Sequence, residues 1–196
     1  MKKNIMIVGV GGQGTLLASK ILGRAAMDSG LDVKVSEVHG MSQRGGSVVT
    51  YVRVGDEVYS PVIGRGDADV ILSFEILEAA RWLPHLKPGG TIVTSTQEIN
   101  PMPVITGAAE YPEGLADDMK ALGVDVRAYD APAIAAAAGS ARASNVALIG
   151  LAADVLGFDL AVLRDAVAAC VPQKALDVNL CDFDAAIARA AENKNA

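Results

Sequence analysis

The chain has 196 residues, a length typical of one compact domain, and we expect a single domain over residues 1–196. Hydrophobic residues make up 51% and charged residues 20%, a composition that excludes intrinsic disorder. The net charge is −6 and the basic residues are scattered, so no nucleic-acid partner is expected. The two cysteines, Cys170 and Cys181, are too few for an iron-sulfur cluster or a four-cysteine zinc site.

The amino terminus reads Met-Lys-Lys-Asn and then enters a short apolar run, without the long apolar segment of a signal peptide. No run of about 20 apolar residues suggests a membrane span. We therefore expect a soluble, cytoplasmic protein that has no contact with membranes.

The first forty residues predict a strand, a helix and a second strand. Residues 4–8 form an apolar run rich in branched side chains, which is typical of a central parallel strand. Residues 13–27 carry apolar side chains at helical spacing, and residues 31–38 form another strand. This order predicts a right-handed crossover unit of an α/β fold.

The middle of the chain continues the alternation, with one interruption. Residues 47–54 and 58–63 are separated by Gly55, Asp56 and Glu57, which predicts an antiparallel hairpin between these two segments. Strands are then expected at 68–73, 91–95 and 124–129, with helices at 75–86 and 115–122.

Residues 97–112 contain three prolines, and the only element expected there is a short extended piece at Val104 and Ile105. After Pro132 the chain is predominantly helical, and Asp159 is expected to cap a helix that ends near Val171. The prediction is a three-layer, Rossmann-like α/β fold with a mostly parallel sheet, an added antiparallel hairpin and a helical C-terminal third.

A glycine-rich turn follows the first strand. Residues 9–14 read Gly-Val-Gly-Gly-Gln-Gly and match G-x-G-x-x-G between a strand and a helix, the context of a dinucleotide-binding fingerprint. Its backbone N–H groups and the helix dipole favour a phosphate or carboxylate. Glu37 follows Gly14 by 23 residues, near the position expected for an acid that binds a ribose hydroxyl. Alternatively, the glycines only permit tight packing between strand and helix, and Glu37 is a solvated strand end.

A second polar segment, residues 39–46, follows the second strand and reads His-Gly-Met-Ser-Gln-Arg-Gly-Gly. Ligands of α/β sheets bind at the carboxyl ends of the strands, where this loop lies. Arg44 could present its guanidinium to a carboxylate, a phosphate or an acidic partner surface, and His39 would add a group that titrates near neutral pH. The candidate binding residues are Gly9, Gly11, Gly12, Gln13, Gly14, Ser42, Gln43, Arg44 and Gly45.

Other polar residues are weaker candidates. Asp67, Asp69 and Glu75 flank one predicted strand and are expected to be caps or solvated groups. Cys170 lies on the same helical stripe as Leu163 and Val167 and is expected to be a core residue. Asn145 is expected to cap the apolar helix that follows it or, as the alternative, to reach the sheet edge. No catalytic residue and no metal ligand is predicted in this chain.

Three segments together carry a family resemblance: Gly9-Val-Gly-Gly-Gln-Gly14, Glu37-Val-His-Gly-Met-Ser-Gln-Arg-Gly-Gly46 and Asp69-Val-Ile-Leu-Ser-Phe-Glu75. With these segments the chain resembles the gamma-type domain of 2-oxoacid:ferredoxin oxidoreductases. The resemblance spans nearly the whole chain and points to the enzymes that act on indolepyruvate. The second segment is its most specific part.

The resemblance implies a complex that oxidatively decarboxylates an aryl 2-oxoacid, uses thiamine diphosphate with Mg²⁺, forms an acyl-CoA and passes electrons through iron-sulfur clusters to ferredoxin. This chain lacks a Gly-Asp-Gly thiamine motif and cluster cysteines, so the cofactors are expected on a larger partner subunit. The glycine turn and Arg44 are then candidates for binding CoA phosphate. Pyruvate and branched-chain 2-oxoacids stay open as substrates.

Two other functions also stay open. One is a self-standing NAD(P)-binding oxidoreductase, although 196 residues leave little room for a substrate domain. The other is a nucleotide- or flavin-binding adaptor without catalytic activity.

Overall fold

A computed structural model of the chain describes residues 2–39, 45–140 and 143–194. Within these residues, six strands form one sheet in the order β2-β3-β1-β4-β5-β6. The strands are β1 (Lys3–Val10), β2 (Asp32–His39), β3 (Ser47–Gly55), β4 (Ala68–Ser73), β5 (Leu86–Ser95) and β6 (Asp125–Tyr129). The helices are α1 (Thr15–Asp28), α2 (Ile76–Trp82), α3 (Met102–Ile105), α4 (Leu115–Ala121), α5 (Ala131–Ala138), α6 (Ser144–Leu151), α7 (Ala153–Leu156), α8 (Leu160–Cys170) and α9 (Leu176–Lys194).

Helices cover both faces of the sheet, as the three-layer prediction requires. In β1, Ile5 and Ile7 pack into a core with α1, α6, α8 and α9, whereas Met6 and Val8 pack into a second core with α2 and α4. Because successive side chains of a strand point to opposite faces, a continuous apolar run is the pattern expected of a strand with a core on each side. The α/β fold class predicted from the sequence is confirmed.

The predicted hairpin between residues 47–54 and 58–63 is wrong. β3 pairs antiparallel with β1 on one side and with β2 on the other, and residues 58–63 form no strand. The segment after Gly55 is instead held by Arg53, whose Nη1 donates to the carbonyl oxygens of Ser60 (3.2 Å) and Val62 (3.1 Å). The antiparallel hairpin of this fold is therefore β2–β3, joined by the loop that carries Arg44.

The insertion of β3 separates the two parallel strands of the β1-α1-β2 unit, so they are not neighbours in the sheet. β1 and β2 run in the same direction, but β3 lies between them and is antiparallel to both. β4, β5 and β6 extend the other side of β1 as a parallel sheet. Chain connections thus leave β1 and β4 in opposite directions, and the crevice at such a switch point is where α/β folds bind ligands.

The predicted extended piece at Val104 and Ile105 is also wrong, because these residues belong to the single helical turn of α3. Met102 and Pro103 begin this turn, and the Val104 and Ile105 amides donate to the Pro101 carbonyl oxygen. Proline fits the first turn of a helix, where an N–H group has no intrahelical acceptor.

The C-terminal helical layer agrees with the prediction. Asp159 caps α8, because its Oδ1 accepts from the Ala161 amide at 2.8 Å. α6 and α9 approach closely at Gly150, where an added Cβ would lie 2.7 Å from the Phe183 carbonyl oxygen. A small residue is therefore required at this helix crossing.

Candidate functional site

The glycine turn after β1 leaves several backbone donors available at the start of α1. Gly12 and Gly14 have φ values of +104° and +90°, a backbone region that glycine adopts without strain. Gly14 is the residue before the first turn of α1, and no side chain caps this helix. The amides of Gly14, Thr15 and Leu16 have no acceptor within the described residues. These N–H groups, together with the helix dipole, form a favourable environment for an anion.

Three glycines of the turn differ in the space around the position of a Cβ atom. An added Cβ at Gly9 would lie 2.9 Å from Gln13 Oε1, and one at Gly14 would lie 2.5 Å from Asn145 Nδ2. At Gly12 an added Cβ would meet nothing within 4 Å. Gly9 and Gly14 thus serve close packing, as the alternative interpretation of the motif proposed. Gly12 faces open space, as expected where a ligand approaches the backbone.

The side chain of Gln13 cross-links the strand ends around the switch-point crevice. Its Oε1 accepts from the Val10 amide at 2.7 Å, while its Nε2 donates to the Phe74 carbonyl oxygen at 2.9 Å and to Gln97 Oε1 at 3.0 Å. One side-chain amide thereby joins the ends of β1, β4 and β5. Both N–H bonds of Gln13 are engaged within the protein, so this side chain orders the turn and has no donor left for a ligand.

Two cavities open on either side of the glycine turn, and both include Gly12. One, of about 370 Å³, lies on the side of β2 and β3 and is lined by Gly11, Gly12, Gly14, Thr15, Leu16, Glu37 and Val48. We call it the β3-side cavity. The other, of about 350 Å³, lies toward β4 and β5 and is lined by Gly12, Gln13, Phe74, Ser95, Gln97, Ala131, Ser144 and Leu148. We call it the β5-side cavity.

The position of Glu37 departs from the dinucleotide fingerprint. In that fingerprint the acidic residue ends the strand next to β1, but here β3 separates β2 from β1. Two strand spacings, about 10 Å, therefore lie between β2 and β1. In addition, the Gly11 amide donates to the Gly46 carbonyl oxygen at 2.9 Å, so one N–H of the turn is used to hold the start of β3. The chain thus places β3 beside the glycine turn, where the fingerprint places the strand that carries the acid.

The polar loop after β2 lies mainly outside the described residues. This applies to the predicted binding residues Ser42, Gln43 and Arg44, and to the side chain of His39. Gly45 is described, with a φ of +75° that favours glycine. The loop leaves β2 and enters β3 at Ser47, which pairs with Val10 at the end of β1. The β3 end of the segment is thus held next to the glycine turn, whereas its β2 end, at His39, pairs with Val48 on the other side of β3.

Buried carboxylates form a network on the other side of the turn, which the sequence did not reveal. Glu75 caps α2, because its Oε2 accepts from the Glu78 amide at 2.8 Å, so the prediction of a capping role is confirmed. Its other oxygen accepts from the Tyr111 hydroxyl and from the Ile99 amide. Glu78 in turn accepts from the hydroxyl of Ser47 at 2.5 Å. Burial, together with the charge of Glu75, raises the pKa of Glu78.

The remaining candidates lie elsewhere. Asp67 and Asp69 are at the amino end of β4, where Asp69 accepts from the Asn4 amide at 2.7 Å and pairs with Lys87. Of the two expectations for Asn145, helix capping is wrong, because Ala143 occupies the capping position of α6 and Asn145 Oδ1 accepts from the adjacent Val146 amide. Its side-chain amide instead packs against Gly14.

Neither cysteine belongs to a metal-ligating cluster within the part of the chain that the structure describes. Cys170 packs half-buried against the core, where burial raises the pKa of its thiol, and Cys181 is exposed. Among residues 2–39, 45–140 and 143–194, no group of three or more His, Cys, Asp and Glu side chains could hold a metal ion. With two cysteines in the sequence, an iron-sulfur cluster held by four cysteines does not fit this chain. No helix in those ranges is long and apolar enough to cross a bilayer.

Comparison with known proteins gives a consistent family assignment. The model of the pyruvate ferredoxin/flavodoxin oxidoreductase family matches residues 4–189. The chain is 44% identical over 199 residues to the indolepyruvate oxidoreductase subunit IorB of Pyrococcus horikoshii, with 98% of each chain covered.

Solved structures share the fold at lower identity. The gamma subunit of a keto/oxoacid ferredoxin oxidoreductase from Geobacter sulfurreducens matches with a TM-score of 0.73 at 21% identity, covering 97% of this chain and 99% of that one. The 2-oxoglutarate:ferredoxin oxidoreductase of Magnetococcus marinus matches with a TM-score of 0.71 at 22% identity, covering 97% of this chain and 31% of that one.

Proposed function

From the premise that the chain belongs to the pyruvate ferredoxin/flavodoxin oxidoreductase family, we propose that it is the small, non-catalytic subunit of an enzyme that acts on indolepyruvate. The observation that carries this proposal is the near-full-length identity, 38–44%, to four relatives that are all named indolepyruvate oxidoreductase subunits. Relatives named for 2-oxoglutarate or pyruvate match at 28–36% identity. This order of sequence identities favours an aryl 2-oxoacid as substrate over 2-oxoglutarate and pyruvate.

The complete enzyme needs a larger partner subunit. Oxidative decarboxylation of the 2-oxoacid with CoA yields acyl-CoA and CO₂ and delivers two electrons, one to each of two ferredoxins. Thiamine diphosphate with Mg²⁺ supplies the carbanion chemistry and iron-sulfur clusters conduct the electrons. The two cysteines are free and too few for a cluster, and the described residues contain no group of three His, Cys, Asp and Glu side chains that could hold a metal ion. We therefore assign the cofactors to the partner and place the complex in the reducing cytoplasm.

The role proposed for this chain's own site is to hold the phosphate end of CoA. The free amides of Gly14, Thr15 and Leu16 suit a phosphate, and the β3-side cavity gives it space beside Gly12. Arg44, two residues before Gly46 in the sequence, would supply a bidentate phosphate contact. The larger Magnetococcus relative whose fold this chain shares is described with CoA bound, which is compatible with this role.

Titration calorimetry of CoA with the assembled complex tests this site. Leu16→Glu places a carboxylate at the exposed start of α1, and we expect CoA affinity to fall roughly 3- to 10-fold through repulsion of phosphate. Met27→Glu adds the same charge at the exposed far end of the same helix and should leave affinity unchanged. Arg44→Ala should also weaken binding.

The same titration can overturn the proposal. Absence of CoA binding to the complex, or equal affinity in the wild type, Leu16→Glu and Arg44→Ala, would remove the glycine turn from the CoA site. Binding of NAD(P) in place of CoA would restore the dehydrogenase alternative. Turnover with pyruvate or branched-chain 2-oxoacids but not with indolepyruvate would refute the proposed substrate.

A further inference from the structure

The segment between β5 and α4, residues 96–114, presents an exposed apolar tip. We call this segment the β5–α4 excursion. Its one helical turn, α3, carries Met102 and Ile105, which are 64% and 65% exposed. Residues three apart in a helix lie on the same face, so these two side chains form one apolar patch. Exposed apolar side chains that lie together are candidates for a site of interaction.

The tip is held in one conformation by bonds within the excursion. The amides of Val104 and Ala108 donate to the carbonyl oxygens of Pro101 (2.9 Å) and Pro103 (2.8 Å), and the Thr106 hydroxyl donates to the Met102 carbonyl oxygen at 2.9 Å. Two prolines further restrict the backbone. An element that is already ordered loses little entropy on binding, which favours association.

One buried carboxylate fixes both ends of the excursion to the body of the protein. Glu75, only 1% exposed, accepts from the Ile99 amide at 3.1 Å before the tip and from the Tyr111 hydroxyl after it, through the same oxygen. Gln97, at the start of the excursion, accepts from the Ile76 amide and from Gln13 of the glycine turn. The apolar tip and the glycine turn therefore belong to one hydrogen-bonded framework.

The charge around the tip indicates which kind of partner fits. Glu98, Glu110 and Glu113 are exposed and flank the tip. From residue 88 to residue 119 the sequence contains no Lys, Arg or His. In a symmetric pair of copies each excursion would face its own acidic rim, and like charges that meet at an interface are costly. A surface with basic residues around an apolar recess is the complementary partner.

We propose that the β5–α4 excursion docks this chain onto the larger subunit of the complex, with Met102 and Ile105 inserted into an apolar recess that Lys and Arg residues border. This inference rests on the proposed function, which supplies the partner. It adds the surface by which the partner is bound and the kind of recess that receives it. Docking there places the larger subunit at the carboxyl edge of the sheet, next to the glycine turn.

The test is the affinity of the chain for the larger subunit, co-expressed or purified separately and measured by interferometry. Met102→Lys/Ile105→Lys removes the apolar patch and opposes the basic rim, and we expect affinity to fall at least ~30-fold. The matched control is Tyr59→Lys/Val62→Lys, which places the same charges on two exposed apolar residues. Tyr59 lies beside Lys2 and Asn4 at the opposite edge of the sheet, so this control should change affinity less than about 3-fold.

A second measurement tests the contribution of the acidic residues around the tip. Glu110→Lys should slow association several-fold at low ionic strength and reduce its dependence on salt, because steering by the acidic rim is weakened. Circular dichroism melting of each variant checks that the fold is intact, as expected for substitutions of exposed residues.

The outcomes separate the inference from the proposed function. If the wild-type complex forms but the Met102/Ile105 variant binds as tightly as the control, the docking surface is wrong and the proposed function stands. If the wild-type chain binds no larger subunit, both are overturned. If the isolated chain dimerises and only the Met102/Ile105 variant is monomeric, the patch serves a second copy and the inference is refuted.

Discussion

Gln13 offers a direct test of how the switch-point crevice is held together. Gln13→Ala deletes the three hydrogen bonds that join Val10, Phe74 and Gln97, with lengths between 2.7 and 3.0 Å. A net value of about 1 kcal/mol per hydrogen bond predicts a loss of about 3 kcal/mol. Water from the adjoining β5-side cavity can replace part of this loss, so about 2–3 kcal/mol is expected. For a chain of this size that corresponds to a fall in Tm of roughly 5–10 °C.

Gln97→Ala is the matched comparison, because it deletes only one of the three bonds. Its expected cost is about 1 kcal/mol. The double variant loses the hydrogen bond between the two side chains only once. Its loss of unfolding free energy should therefore be smaller than the sum of the two single losses by about 1 kcal/mol. Urea unfolding of the four proteins, monitored by circular dichroism, gives all of these free energies.

A second comparison uses Gly9, where an added Cβ would lie 2.9 Å from Gln13 Oε1. Gly9→Ala should therefore cost less in the Gln13→Ala background than in the wild type. The reasoning fails if Gln13→Ala and Gln97→Ala are equally stable, or if their effects add fully. Either result would mean that Gln13 does not join the three strands in solution.

Other substitutions test other parts of the structure. Gly150→Ala should destabilise the chain by about 2–3 kcal/mol in urea unfolding, because its Cβ would meet the Phe183 carbonyl oxygen at 2.7 Å. Asp182 is fully buried in α9, its carboxylate oxygens have no hydrogen-bond partner among the described residues, and burial raises its pKa to about 6. The folded state therefore binds this proton more tightly than the unfolded state, and Asp182 lowers stability as pH rises from about 4 to 6. Asp182→Asn should be more stable than the wild type at pH 7, by up to about 3 kcal/mol, and show little gain at pH 4; an equal effect at both pH values would contradict this. Tyr111→Phe should lower the free energy of unfolding by about 1–2 kcal/mol and increase hydrogen exchange of the Ile99 amide. Unchanged exchange would show that Glu75 does not tether the β5–α4 excursion.

Much of the fold could be predicted because its signals are local. The β1 and β4 segments are apolar runs buried on both faces, and α1 and α8 have apolar stripes of helical period. The cap at Asp159 and the proline in the first turn of α5 follow from backbone chemistry that acts over three or four residues. These elements could be predicted without knowing which other elements pack against them.

The errors arose where pairing is decided over long distances. Residues 47–54 are rich in branched side chains whichever strand lies beside them, so the sequence could not tell that β3 enters between β1 and β2. Gly55, Asp56 and Glu57 suggested a tight hairpin, but Arg53 holds the following segment in an extended loop. The bond from Tyr111 to Glu75 joins residues 36 positions apart, and only the folded chain brings them together. Register and side-chain networks of this kind are properties of the assembled sheet.

The glycine motif shows why a local pattern was insufficient to assign a ligand. The G-x-G-x-x-G pattern of Gly9, Gly11 and Gly14 predicts a tight turn with free amides at a helix start, and the structure contains both. Positive φ occurs at Gly14 and at Gly12, and Gly12 occupies a variable position of the pattern. Which ligand can use such a turn depends on the neighbouring strand. Here that strand is β3, which takes up the Gly11 amide through Gly46 and separates Glu37 from β1. Beside the antiparallel β3, the same turn keeps free amides at the start of α1 but lacks the acid-bearing neighbour strand of the dinucleotide fingerprint, so the motif alone could not predict the ligand.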